Sequence, residues 1–363
     1  MAQIIRLLAL LTFAISANAA PHSSEAQLSS APNEVFRSAN QPNRMVASMA
    51  AKQQCERAKG IRAGYCEIIS MDDESIGRAI DLKPQSAEHP LFLWRYTRGA
   101  ATIYLAGTVH VLKEGFFPLP RQYEQAFEAT EKLVVEAAVD QIEPAQLQQM
   151  MLKYAQLPAG TLRDLLSPKT YALLAEQAQT YGLPLEQMQG FKPALISQQL
   201  ALAAISAMGY DPTLGVESHF SARTEPQNIL ELESVEGQLK LLLDQPIEVQ
   251  IVLLQEALAE FNHIAEQTDA MLAAWAHGDD EAVATLMREQ TGESAAAQDF
   301  LHQLLDQRNT HMARRIAKML RGTGSYLVLV GSAHLAGNQS VITELKKLGF
   351  NGQRISSTDS ISN

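Results

Sequence analysis

The feature that most constrains this chain is a short unit written twice, once near each end of its main body. Tyr104-Leu-Ala-Gly-Thr-Val-His-Val-Leu and Val328-Leu-Val-Gly-Ser-Ala-His-Leu both run apolar strand, glycine, small hydroxyl, apolar residue, histidine, apolar residue. A repeated strand–Gly-x-x-His unit calls for a sheet in which both strands end in a tight turn. Functional side chains collect at such strand exits, because the strand fixes position while the loop beyond it is free to vary. Glycine there permits a tight turn and close approach of a ligand. His110 and His334 are thereby delivered from opposite ends of the chain towards one edge, and neutral imidazole is both a common metal ligand and a common general base. Taken singly, each histidine could equally be a hydrogen-bonded core residue; the shared context is what raises the pair.

The rest of the body reads as α/β. Strands are expected at Leu91–Tyr96, Thr102–Ala106, Lys132–Val139, Asn228–Leu232, Ser325–Val330 and Asn351–Ile355, from short apolar runs bounded by turn residues. Continuous apolar character in Leu133-Val134-Val135 and Leu327-Val328-Leu329-Val330 suits strands covered on both faces. Helices beginning on proline are expected at Pro144–Tyr154, Pro168–Tyr181 and Pro193–Met208, with longer ones over Pro246–His277 and Ser294–Arg321 closed by Gly278 and Gly322. Strand-rich ends with a helical middle make one α/β domain over 90–357, with a mixed or parallel sheet and a helical insertion over about 140–225. Length alone would allow two domains.

Ahead of that body, Arg6, the apolar run Leu7–Ile15 and Ala17-Asn18-Ala19 read as a cleavable secretory signal over 1–19, which implies a periplasmic or secreted protein. Residues 20 to about 50 are rich in Ser, Ala, Asn, Gln and Pro and read as a flexible leader, followed by a small appendage up to 89. Cys55 and Cys66 are the only cysteines, and an oxidising compartment predicts a disulfide between them rather than a zinc site. The formal charge of −11 becomes −12 without Arg6, 28 basic against 40 acidic residues. That balance argues against nucleic acid and anionic membrane surfaces as natural partners. No later stretch is apolar for long enough to insert in a bilayer.

A third partner for the histidines is expected among the carboxylates. Glu136 interrupts Leu133-Val-Val-Glu-Ala-Ala-Val and, placed in an apolar strand, must be paired, metal-bound or protonated. Arg308 falls on the apolar stripe Leu301, Leu304, Leu305, Met312, Ile316 and Met319, so its guanidinium needs acceptors: Glu136, Glu233 or an anionic substrate group. Glu217, Glu233 and Asn309 are weaker candidates for contacts to substrate. No Walker loop, dinucleotide fingerprint, His-Glu-x-x-His or nucleophile elbow is present.

Taken together, Gly107 to His110, Glu136, Gly215-Val-Glu217, Leu232-Glu233 with Gln238, Arg308-Asn309, and Gly331-Ser-Ala-His334-Leu with Gly337 resemble the TraB/GumN family, related to the Tiki proteases. The resemblance spans about 90 to 350. It implies a Tiki-type fold, akin to erythromycin esterase/ChaN-like proteins, with two Gly-x-x-His motifs and a glutamate at its centre. Tiki members are metal-dependent peptidases, and more distant relatives bind haem or act as esterases. The chain departs from the pattern at Glu217, where the family more often carries aspartate.

Residues and resemblance together lead us to expect an exported metal-dependent hydrolase, of the peptidase kind. His110, His334 and Glu136 would hold a divalent ion such as Mn²⁺, Co²⁺ or Zn²⁺, with Glu136 as third ligand or as base, and Arg308 would stabilise the oxyanion. Two alternatives stay open: a periplasmic protein that captures a peptide or small ligand without cleaving it, and metal-free acid/base hydrolysis by His110 and Glu136. Substrate and oligomeric state are not readable from the sequence.

Overall fold

A computed structural model describes residues 21–361. The expected signal over 1–19 lies outside the described residues. Ten strands are labelled here in chain order: β1 His22–Leu28, β2 Ala31–Gln41, β3 Cys66–Met71, β4 Glu74–Ser75, β5 Pro90–Arg98, β6 Ala101–Thr108, β7 Lys132–Val135, β8 Ile229–Glu231, β9 Gly324–Gly331 and β10 Gln353–Ser356. They form two sheets, a four-stranded one in the order β2-β1-β3-β4 and a six-stranded one in the order β10-β5-β6-β9-β7-β8.

The six-stranded sheet is mixed, and it carries the site. β6, β9, β7 and β8 run parallel, whereas β5 is antiparallel to β6 and β10 to β5. The antiparallel step follows from the turn: Arg98 pairs with Ala101 across Gly99-Ala100, and Gly99 takes the positive φ of 56° that so short a hairpin requires. The strands of the two Gly-x-x-His units, β6 and β9, are immediate neighbours despite their separation in sequence. Gly107 lies opposite Val330, and Thr108 opposite Gly331, so the motifs leave the sheet side by side with a one-residue offset.

Leu327 to Val330 are wholly buried, as are Leu105 and Ala106. Each such Val or Leu side chain adds about 1.5–3 kcal/mol of burial. This is why runs without polar alternation form the sheet's centre. The helix Arg308–Leu320 lies against β5 and β6 and buries Met312, Ala313, Ile316 and Ala317 completely.

Three sequence expectations change here. The strand expected over Lys132–Val139 ends at Val135, because the register with β8 stops at Val135–Glu231 and the Glu136 carbonyl then accepts from the Leu232 and Glu233 amides. The helix expected over Pro246–His277 is two, Ile247–Ala259 and Ile264–Ala276. Between them is a 3₁₀ turn, Phe261–His263, in which buried Phe261 packs edge-on against Tyr181. The helix expected over Ser294–Arg321 is helical throughout but changes pitch: α over Ala295–His302, π over Gln303–Gln307, and α again over Arg308–Leu320. Such π segments commonly mark functional positions, and this one sets the phase at which Arg308 enters.

The flexible leader is the largest correction. Residues 22–41 form the hairpin β1–β2, and β1 also pairs with β3. The helix Arg44–Lys59 packs on this sheet, and its Ala51 and Cys55 share one buried cluster with Ala26 and Leu28 of β1. Apart from Leu28, the part of that core supplied by residues 22–59 is mostly Ala, Ser and Cys, which carry little hydrophobic signal in the sequence; the larger Ile68 and Met71 come from β3. The expected disulfide is present: Cys55 on that helix joins Cys66 at the start of β3, with Cα atoms 6.0 Å apart. Buried Lys113 ties this unit to the body by donating to the Gly77 carbonyl at 2.5 Å, and Asp269 accepts from the Gly77 amide at 2.6 Å and from the Tyr210 hydroxyl at 2.5 Å. Among the described residues, no helix is long and apolar enough to cross a membrane.

Candidate functional site

His110 leaves β6, His334 leaves β9 in a short 3₁₀ turn, and Glu136 is the first residue beyond β7. All three therefore come from the carboxyl edge of adjacent parallel strands, and Glu136 is a strand-exit residue rather than an interruption within a strand. A Cβ placed on Gly331 would lie 3.3 Å from Glu136 Oε1, 3.7 Å from His334 Cδ2 and 3.8 Å from His110 Nε2. The three side chains thus surround one small space, kept open by the absence of a side chain at Gly331.

Each imidazole is anchored through Nδ1. His110 Nδ1 lies 3.1 Å from Glu217 Oε2, and the Thr108 hydroxyl donates to Glu217 Oε1 at 3.3 Å. His334 Nδ1 lies 2.6 Å from Asn309 Oδ1, and the Asn309 amide in turn donates to the Gln339 carbonyl at 2.8 Å. A second residue that fixes ring orientation and leaves Nε2 available is the arrangement found behind metal-bound histidines. His334 Nε2 faces Glu136 Oε1 at 3.6 Å.

Glu136 is only 5% exposed and is held on every side. Its Oε1 accepts from the Gly331 amide at 2.6 Å, and its Oε2 from Arg308 at 2.5 Å and Gln238 at 3.1 Å. Arg308 also donates through Nε to Glu233 at 2.8 Å and through Nη1 to the Leu304 carbonyl at 3.0 Å.

These contacts set the charges. Burial acts to raise the Glu136 pKa, but the two histidines, the Arg308 guanidinium and the Gly331 amide more than offset it, so the carboxyl stays ionised well below the usual range. Burial, aided by Arg308 and His110, pushes His334 down to about 4 despite the attraction of Glu136, so this imidazole is neutral at pH 7. Burial opposes a charge on His110 too, but the Glu217 charge and hydrogen bond outweigh it and raise the pKa. His110 keeps about a quarter of its side chain exposed, in agreement with that upward direction.

The sequence model of the TraB/PrgY/gumN family matches residues 92–354. The chain belongs to that family. The TraB/PrgY/gumN span contains every residue of the site just described and leaves out β1–β4 and the disulfide. No curated protein and no solved structure matches the chain.

The weaker sequence candidates turn out to stand behind the histidines and Glu136 rather than beside the open space. Glu217 and Asn309, expected to touch substrate, each hold an imidazole, and Glu233 holds Arg308. Arg308, expected to meet an oxyanion, has a group on each of its three nitrogens committed to Glu136, Glu233 and Leu304. Thr108 and the buried Trp275, whose indole N–H donates to the Gly107 carbonyl at 2.9 Å, were not singled out from the sequence. Thr108 could have been found from the shared hydroxyl of the two motifs; nothing in the sequence flags Trp275. Among the described residues, no group of three or more His, Cys, Asp or Glu side chains is arranged so that it could hold a metal ion without some movement.

Proposed function

We propose that this TraB/PrgY/gumN protein is an exported metal-dependent hydrolase acting on peptide bonds. One observation carries the reading: both imidazoles are tied through Nδ1, to Glu217 and Asn309, and present Nε2 beside Glu136 in the space left by Gly331. Two neutral nitrogen donors and a carboxylate suit Mn²⁺, Co²⁺ or Zn²⁺ in number and kind. Such an ion, when bound, would lower the pKa of a coordinated water and polarise a carbonyl.

His110 and His334 are the ring donors, and Glu136 is the third donor. A carboxylate kept so strongly ionised is a weak proton acceptor, so Glu136 serves better as a fixed negative charge than as general base. His110, whose pKa Glu217 raises, must lose its proton to serve as a ring donor, and it can carry a proton only in a metal-free reaction. Arg308 keeps Glu136 ionised and in place. Its remaining N–H groups are too deeply buried to be the main support of an oxyanion. The Cys55–Cys66 disulfide supports an oxidising compartment, as an exported protein would meet.

The test combines metal analysis with a peptide-library assay in added Mn²⁺ or Co²⁺. Parent protein should retain about one divalent ion per chain and cleave peptides, and EDTA and His110→Ala with His334→Ala should abolish both. Equal metal content in parent and double variant would overturn the metal assignment. The His110–Glu217 pair favours one second reading, metal-free acid/base hydrolysis, for which activity would survive EDTA and fall with Glu217→Gln. Tight peptide retention without any turnover would instead mark a binding protein.

A further inference from the structure

A cavity of about 300 Å³ lies apart from the site, and none of the residues that line it belongs to the histidine–glutamate centre. One side is apolar and aromatic: Leu91, Phe116, Leu119, Tyr123 and Trp275. The other brings Lys83, His89 and Arg121 to the same space. No aspartate or glutamate lines it, although the chain carries a formal charge of −11. An acid-free cavity with two cationic side chains, Lys83 and Arg121, in so acidic a protein, favours negative charge; burial lowers the His89 pKa, so that ring adds no charge.

Several details sharpen that charge preference. Arg121 is exposed at the rim and makes no ion pair among the described residues. It also opens the helix Arg121–Glu128, whose first turn lines the cavity and whose N-cap, Pro120, provides no capping side chain. Lys83 gives one hydrogen to the Gly115 carbonyl at 2.7 Å and keeps two. The wall is firm: Trp275 is fixed by its bond to the Gly107 carbonyl, and Gln122 donates to the Ser357 and Asp359 carbonyls at 2.7 and 2.8 Å.

We propose that this cavity binds a small organic anion, a carboxylate carried on an aromatic body, at a site separate from the Gly-x-x-His centre. The volume is at the lower end for small-molecule pockets, room for a two-ring body. Phe116, Tyr123 and Trp275, each at or below 4% exposure, form an apolar, aromatic floor on which such a body rests. Arg121 and Lys83 take the carboxylate.

The experiment is calorimetric titration of the full mature chain, in EDTA, with naphthalene-1-acetate and with the neutral 2-(1-naphthyl)ethanol. The acid should bind at least tenfold more tightly than the alcohol. Arg121→Glu, a surface change that leaves the fold intact, should weaken the acid by tenfold or more and leave the alcohol nearly unchanged. His334→Asn should alter neither. Equal affinity for acid and alcohol, no binding of the acid at millimolar concentration, or insensitivity to Arg121→Glu would overturn the proposal. Loss of binding in His334→Asn would overturn it too, by moving the anion to the metal centre.

Discussion

Replacing Arg308 by methionine would leave two buried carboxylates without their cation, and the size of the effect follows from the contacts. The Arg308 guanidinium meets Glu136 at 2.5 Å and Glu233 at 2.8 Å, with all three side chains at or below about 13% exposure. At an effective dielectric of about 20, each contact is worth roughly 6 kcal/mol before desolvation. Removing one member of a buried ion pair costs about 3–5 kcal/mol, because the remaining charge keeps its desolvation penalty and loses its compensation. Arg308→Met should therefore lower the unfolding free energy by about 3–5 kcal/mol, read as a drop in urea midpoint at unchanged m-value. Adding Glu136→Gln and Glu233→Gln should recover more than half of the loss, because neutral amides leave no buried charge. A single variant within about 1 kcal/mol of the parent, or a triple variant no better than the single, would refute the reasoning.

His334, pushed down to about 4 from 6.5, takes up a proton in the unfolded chain before it does so in the folded one. Stability of the metal-free protein should thus fall as pH drops from 6.5 towards 4, by up to roughly 3 kcal/mol, and His334→Asn should remove most of that slope. His110, raised by Glu217, contributes with the opposite sign and only above about 6.5, so the two can be separated by denaturation series at pH 5 and pH 8. Gly331→Ala places a methyl group in the space between Glu136 and the imidazoles. It should reduce metal affinity and activity by tenfold or more while moving the unfolding midpoint little, since its φ of −52° suits any residue. Opening the Cys55–Cys66 bridge, which closes a loop of sequence separation 11, should cost about 2–3 kcal/mol in a melt with and without reductant. Asn309→Leu should weaken metal binding by about 10–100-fold in a competition titration, because His334 loses its anchor.

What could be read in advance and what could not divides along physical lines. The centres of β5, β6, β7 and β9 were legible because they are buried on both faces and their sequences are correspondingly apolar. The Pro-started helices Pro144–Ala155, Pro168–Tyr181 and Pro193–Ala207 were legible because proline at the first helical position is a local signal. The β1–β2 hairpin was not legible. Its core is made of Ala26, Leu28, Ser24 and their small partners on the helix, and small residues look alike in a sheet and in a leader. The break at Phe261 was equally hidden, because what ends the helix is packing against Tyr181, eighty residues earlier.

The same division runs through the site. The sequence by itself determined the two strand–Gly-x-x-His units, because glycine, small hydroxyl and histidine at fixed offsets from an apolar run are local facts of the chain. It also marked Glu136 and Arg308 as charges in apolar surroundings that would need partners. Only the tertiary structure decided that β6 and β9 lie side by side in parallel, which of the carboxylates Arg308 satisfies, and that Glu217 and Asn309 stand behind the histidines. Those pairings reach across 25 residues for His334 and Asn309, 107 for His110 and Glu217 and 172 for Arg308 and Glu136, and they are set by sheet order and by the pitch of the π segment before Arg308. A hydrogen bond depends on a few tenths of an ångström and on direction, and neither is encoded in the residues of one segment.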